Sequence, residues 1–263
     1  MALRKRTRGR IYRFSIYALF VAAILALIFA TNWPRITRQF LDLELVAKMW
    51  PDIITTGLRN TLLFTLIAFT GGLLLGIALA LMKLSSVGPF KWFATAWVEL
   101  FRGLPALLTI FAMAFMIPIG LGWRLPGGPV GAGLIGLILV ASAYMAETIR
   151  AGLQAVPKGQ TEAARSLGMS SIKTMIFIVI PQGFRIVIPP LTNEFVLLLK
   201  DTSLLFIAGA FVWSKDLTMF ARDAATQNAN STPLVVAAIL YLIVTIPLTR
   251  FVAWLERRMA RER

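Results

Sequence analysis

An all-α integral membrane protein of about six transmembrane helices is the fold that this 263-residue sequence predicts, and three observations carry the prediction. Hydrophobic residues make up 58% of the chain and charged residues 15%, against about 45–50% and about 25% in an ordinary soluble domain. The apolar residues arrive in blocks of the ~20 residues that a helix needs to cross a bilayer. Lys and Arg are shared unequally between alternate loops, as retention of positive charge on the cytoplasmic side requires.

The chain opens on Arg4, Lys5, Arg6, Arg8, Arg10 and Arg13, a basic cytoplasmic tail over 1–13. The apolar run over 14–31 ends in Thr31-Asn32-Trp33-Pro34 without a small-x-small cleavage pattern. It reads as an uncleaved signal anchor and the first span, about Tyr12 to Ala30. Residues 32–60 mix charge with Leu41, Leu43, Leu45, Val46, Met49 and Trp50, which fits an external amphipathic segment along the interface or a plain solvated linker. Further spans are expected at about Thr61 to Met82, Trp92 to Ile119, Val130 to Ile149, Ile186 to Val212 and Leu234 to Trp254, then a second basic tail over 255–263. With the N-terminus inside, the inner segments hold 18 of the 27 Lys and Arg and the outer ones 7, so both termini are expected in the cytoplasm.

Several function classes fall away. There is no Cys and no His, which excludes disulfides, thiol catalysis and most zinc sites, and no metal site is expected. The net charge of +15 resides in tails and loops with no aromatic-interleaved basic face, so no nucleic-acid partner is expected. Gly131-Ala132-Gly133-Leu134-Ile135-Gly136 spells a dinucleotide fingerprint but opens an apolar span, where glycines serve close helix packing. Gly72 and Gly76 form a G-x-x-x-G pair of the same kind. No Walker-type phosphate loop occurs, so nucleotide chemistry belongs to another subunit.

The loop between the fourth and fifth spans is the most informative segment. Pro157 and Gly159 break the descending helix, a short helix starts near Gln160, and Gly168 supplies a left-handed stop. Ala163 and Ala164 permit close approach of another protein, with Glu162 and Arg165 at the rim; an ordinary amphipathic loop helix fits the residues equally well.

Glu162, Ala163, Ala164, Gly168, Ile178, Ile180 and Pro181 fill the E-A-A-x-x-x-G-x9-I-x-[LI]-P signature at its spacing. On this loop the chain resembles the permease subunits of ABC importers, and over roughly residues 55 to 255 it looks like their polar amino-acid branch. The supporting marks are Gly57-Leu58-x-x-Thr61, Arg102-Gly103-Leu104-Pro105, Tyr144-Met145-Ala146-Glu147, Arg150-Ala151-Gly152, Gly159-Gln160, Pro181-Gln182 and Lys200-Asp201-Thr202-Ser203-Leu204. The resemblance implies a five-helix permease core over 61–254 plus one N-terminal helix, with a coupling loop over 150–185. Gly159, Glu162, Ala163, Ala164, Arg165 and Gly168 would couple to an ATP-binding subunit. It further implies a dimer of ATP-binding subunits carrying ATP and Mg, a second permease subunit, identical or similar, and an extracytoplasmic substrate-binding protein. The chain itself would be a multi-pass protein of the bacterial inner membrane with no cofactor and no catalytic residue. Its expected cargo is arginine, lysine, histidine, glutamine or glutamate, moved by alternating access. Leu104 and Thr109 stand where the family commonly has Thr and Gln.

The fifth span carries Asn193, Glu194, Lys200, Asp201, Thr202 and Ser203. Each ionised group costs about 2.5–3.5 kcal/mol at the centre of a lipid-facing helix, so these residues line a cavity or pair internally. Glu194 and Asp201 are seven residues apart, one face of a helix and about 10 Å along its axis, with Asn193 and Lys200 on the adjacent face. Two carboxylates suit the ammonium or guanidinium of an amino acid; pairing with Lys200, Arg102 or a partner subunit is the alternative. An ion-coupled carrier or cation channel could use the same stripe. Glu147 and Arg150, three residues apart, read as a structural clasp near an inner gate, and Glu99 and Arg102 invite the same reading.

Overall fold

The computed structural model describes residues 5–209 and 211–261; Arg4 and Arg263, in the expected basic tails, lie outside the described residues. The described residues contain helices and no strand: α1 (Lys5–Ala30), α2 (Trp33–Phe40), α3 (Leu43–Met49), α4 (Arg59–Leu84), α5 (Gly88–Gly103), α6 (Ala106–Phe111), α7 (Ile117–Leu121), α8 (Gly128–Gln154), α9 (Lys158–Ser166), α10 (Ser171–Thr174), α11 (Ile180–Asp201), α12 (Leu217–Asn228) and α13 (Thr232–Arg261). Five stretches are long and apolar enough to cross a membrane, and a sixth if the bent pair formed by α5 and the α6–α7 stretch counts as one span. The fold is therefore the expected all-α membrane core.

Helix α8 is the axis of the bundle, packed against α4, α5, α6 and α11. Small residues let the backbones approach. A Cβ added to Gly72 would lie 2.7 Å from the Ala141 Cβ, and one on Gly76 would lie 3.0 Å from the Met145 Cβ, so the G-x-x-x-G pair is the α4–α8 seam. Gly133 and Gly136 of the false nucleotide fingerprint serve the same end: a Cβ on Gly136 would stand 3.0 Å from the Ile110 Cα of α6.

Several boundaries differ from expectation. The third span is not one helix. Pro105 offers no N–H and forces Leu104 into extended backbone (φ −90°, ψ 138°), so α5 and the α6–α7 stretch meet at 105°. The second span starts at Ile53, inside the segment read as linker, because Thr55, Thr56 and Arg59 dilute its apolar signal although Ile53 is core. The fifth begins at Ser171 and runs through Pro189 and Pro190, and its last turns, Thr202–Ala208, tighten to a 3-10 helix ending short of Val212. From Lys5 onward the N-terminal basic tail is helical and continuous with α1, as the C-terminal one is with α13 to Arg261.

The segment between α1 and α4 is a strap rather than a free linker. Asn32 and Asp42 cap α2 and α3 through their side-chain oxygens. The Ser231 N–H donates to the Gln39 carbonyl at 2.9 Å, Asn230 Nδ2 to the Arg38 carbonyl at 2.9 Å, and the Asp42 N–H to Thr232 Oγ1 at 3.0 Å. These bonds fasten the strap to the turn between α12 and α13. Helix α1, by contrast, buries none of Tyr12–Ala30 and presents apolar side chains all round, as a lipid-exposed helix does.

Candidate functional site

The break in the third span opens a cleft of about 460 Å³ beside α8 and α11. Arg102, Leu104 and Pro105 come from the break, Tyr144 from α8, and Glu194 and Asp201 from α11. The two carboxylates are half-buried and face one space, as their spacing predicts. The Arg102 guanidinium lies over the Tyr144 ring, 5.4 Å from its centroid, a cation–π contact that directs the charge along the cleft wall. The site thus offers anionic, cationic and aromatic surface within one cavity at membrane depth, the groups that the two ends of a zwitterion need.

The other predicted residues of α11 lie elsewhere. Asn193 and Lys200 are exposed on the adjacent face and do not line this cleft. Thr202 is fully buried, and its hydroxyl donates to the Leu199 carbonyl at 2.7 Å, so it closes the helix turn instead of facing a ligand. Ser203 is half-buried outside the cleft lining. Glu99 is exposed and does not pair with Arg102, whose side chain turns to Tyr144 instead. Tyr144, from α8, lines the cleft together with Leu104 and Pro105 of the break, a meeting of distant segments that its motif does not reveal.

At the α9 end of the spans, Glu147 is the centre of an ionic clasp. It accepts from Arg150 Nε at 3.1 Å and from Lys83 Nζ at 2.9 Å, and Arg150 also reaches Gln154. The i,i+3 pair was legible in the sequence. Lys83 was not, because only the α4–α8 seam brings it there.

Helix α9 is built as its turns predict. Pro157 precedes its first turn, and Gly168 adopts φ +82° with its N–H on the Arg165 carbonyl at 3.0 Å, while the Met169 N–H reaches the Ala164 carbonyl at 3.1 Å. This is a Schellman stop, available at low cost only to glycine. Gly159, Glu162 and Ala163 form an exposed face with Leu167, which is 84% exposed. Ala164 is turned inward and buried, whereas Arg165 is exposed and donates to the Met169 carbonyl at 2.8 Å.

At the opposite end of the spans, the Gly57…Thr61 motif holds α12. Asn60 Nδ2 donates to the Trp213 and Lys215 carbonyls, both at 3.0 Å, and the Leu217 N–H donates to Thr61 Oγ1 at 2.9 Å. Asp216 caps α12 by accepting from the Thr218 and Met219 N–H groups, and burial pushes its carboxyl up to about 6.

Residues 72–261 match the family described as binding-protein-dependent transport system inner membrane component. The chain belongs to this family. Among its relatives, the probable glutamine ABC transporter permease protein of Bacillus subtilis is 41% identical over 78% of this chain and 92% of its own length. The arginine transport system permease protein of the same organism is 34% identical over 83% and 97%. A solved structure titled "Crystal structure of an amino acid ABC transporter with histidines" superposes with a TM-score of 0.74 at 36% identity, covering 81% of this chain and 96% of that one. The chain is accordingly the multi-pass inner-membrane permease subunit of an amino-acid ABC importer. Glu194, Asp201 and α9 thus sit in a transport subunit.

Proposed function

We propose that this permease imports a polar amino acid by alternating access, with the cleft between Arg102, Tyr144, Glu194 and Asp201 on the substrate path. The observation that carries the reading is the convergence of two carboxylates and one guanidinium on a single cavity at a broken span. An α-ammonium or basic side chain would meet Glu194 and Asp201, and a carboxylate would meet Arg102. Arginine, lysine, histidine, glutamine and glutamate all satisfy this chemistry in part, and the relatives' glutamine and arginine names support a polar cargo.

ATP and Mg are handled by a separate pair of ATP-binding subunits, and the exposed Gly159, Glu162, Ala163 and Leu167 face of α9 docks against them. A second permease subunit completes the pore, and an extracytoplasmic binding protein delivers the cargo. The excess of Lys and Arg on alternate loops orients both termini toward the cytoplasm. ATP and the cargo must each favour a different conformation for the cycle to turn.

The test is uptake of labelled polar amino acids into vesicles holding the permease with and without its ATP-binding subunits. Uptake of one or a few of them only when the ATP-binding subunits and internal ATP are present is the expected result. Uptake by the permease alone would instead identify an ion-coupled carrier or a channel built on the same carboxylates.

A further inference from the structure

The geometry points to a binding site for an anionic phospholipid headgroup behind the loop helix. A second cavity, about 690 Å³, lies under α9 where three spans end: Leu84 closes α4, Gln154 closes α8, and Ser171 opens the fifth span. Its depth is therefore that of the headgroup layer.

Two adjacent faces of α9 have different chemistry. Gly159, Glu162, Ala163 and Ser166 face outward, whereas Lys158, Thr161 and Arg165, at i, i+3 and i+7, line the cavity. No carboxylate lines it; the nearest on α9 is the exposed Glu162, beside Lys158 and Arg165 on the helix surface but outside the cavity. Arg165 spends one of its donors on the Met169 carbonyl, from the five a guanidinium carries. Thr161 and Ser171 add hydroxyl groups suited to phosphate oxygens.

The cavity floor is apolar, made by Leu153, Val156, Met175 and Val179. Ile172, Ile176 and Phe177, in the same stretch of chain as Met175 and Val179, are exposed apolar side chains. A free phosphate would find no use for that floor. An acyl chain would, lying along it into the bilayer while its headgroup rests between Lys158 and Arg165. Basic pockets between transmembrane helices select anionic lipids by this combination.

The test is lipid retention by the full chain purified from vesicles of phosphatidylcholine with phosphatidylglycerol, counted by native mass spectrometry. Because the readout is bound lipid, its outcome is independent of whether the cleft carries amino acids. The wild type is expected to retain phosphatidylglycerol in preference to phosphatidylcholine. Lys158→Gln and Arg165→Gln should each lower that preference roughly fivefold, and Arg38→Gln, on the strap, should not. Equal retention of both lipids by the wild type, or unchanged preference in the double variant, would overturn the site. Displacement of the lipid by millimolar inorganic phosphate would overturn the lipid assignment in favour of a free anion.

Discussion

Asp216 shows how much one residue's position decides. Its carboxylate caps α12, which favours the ionised form, yet only 1% of the residue is exposed, and desolvation outweighs the cap. A carboxyl raised from 3.8 to about 6 stabilises the fold while protonated, below the unfolded value, and that contribution is lost as pH rises through about 6. Asn caps a helix as well as Asp does and carries no charge. Asp216→Asn is therefore expected to raise the thermal midpoint at pH 7.5, with the advantage vanishing below about pH 4. A constant difference across that range in thermal denaturation would refute the account. The ionic clasp gives a second prediction at this scale. Removing Lys83 leaves Glu147 with Arg150, whereas removing Glu147 leaves two half-buried cations facing each other. Glu147→Gln should thus cost more than Lys83→Met, by about 1–2 kcal/mol in a denaturation midpoint comparison. Equal effects would mean that Lys83 and Arg150 do not share the carboxylate.

At the scale of elements, what could be read in the sequence was what depends on local chemistry. The turns around α9 follow from Pro157 and Gly168, whose backbone preferences act without neighbours. The Glu194–Asp201 stripe follows from helical period alone. What escaped depends on contacts between distant segments. The bend at Leu104-Pro105 sits in an apolar run whose hydropathy is that of one straight helix, and Ala164 points inward only because α9 packs back on the span ends. Exposure of Asn193 and Lys200 likewise reflects which side of α11 meets α8. The seam between α4 and α8 makes a direct prediction. Gly72→Leu places a side chain where even a Cβ lies 2.7 Å from Ala141, and is expected to cost about 1–3 kcal/mol of stability in detergent. Gly88→Leu, with nothing within 4 Å, should be close to neutral. Similar losses in the two variants would remove the seam from the account. For α9, Gly168→Val puts a β-branched residue at φ +82° and should abolish co-purification with the ATP-binding subunit while leaving the spans inserted. Intact complex with that variant would separate the helix stop from docking.

At the scale of the whole molecule, the bundle joins two working ends through one axis. Helix α8 contributes Tyr144 to the charged cleft, Glu147 and Arg150 to the clasp, and then leads through residues 155–157 into α9. One helix thus connects α9 with the wall of the cleft, and the Lys83–Glu147 bond ties α4 to it. The strap and Asn60 hold the opposite end of the bundle against α12 and α13. The break in the third span is what makes room between them, so the feature least visible in the sequence is the one that forms the cavity. Substrate choice by that cavity is the central claim. It is tested most directly by substrate-stimulated ATP hydrolysis in the complete complex of permease, ATP-binding subunits and binding protein, comparing the wild type with Glu194→Gln/Asp201→Asn. One polar amino acid is expected to stimulate hydrolysis by the wild type, and the double variant to lose most of that stimulation while still assembling. Stimulation of equal size in the double variant would contradict that claim.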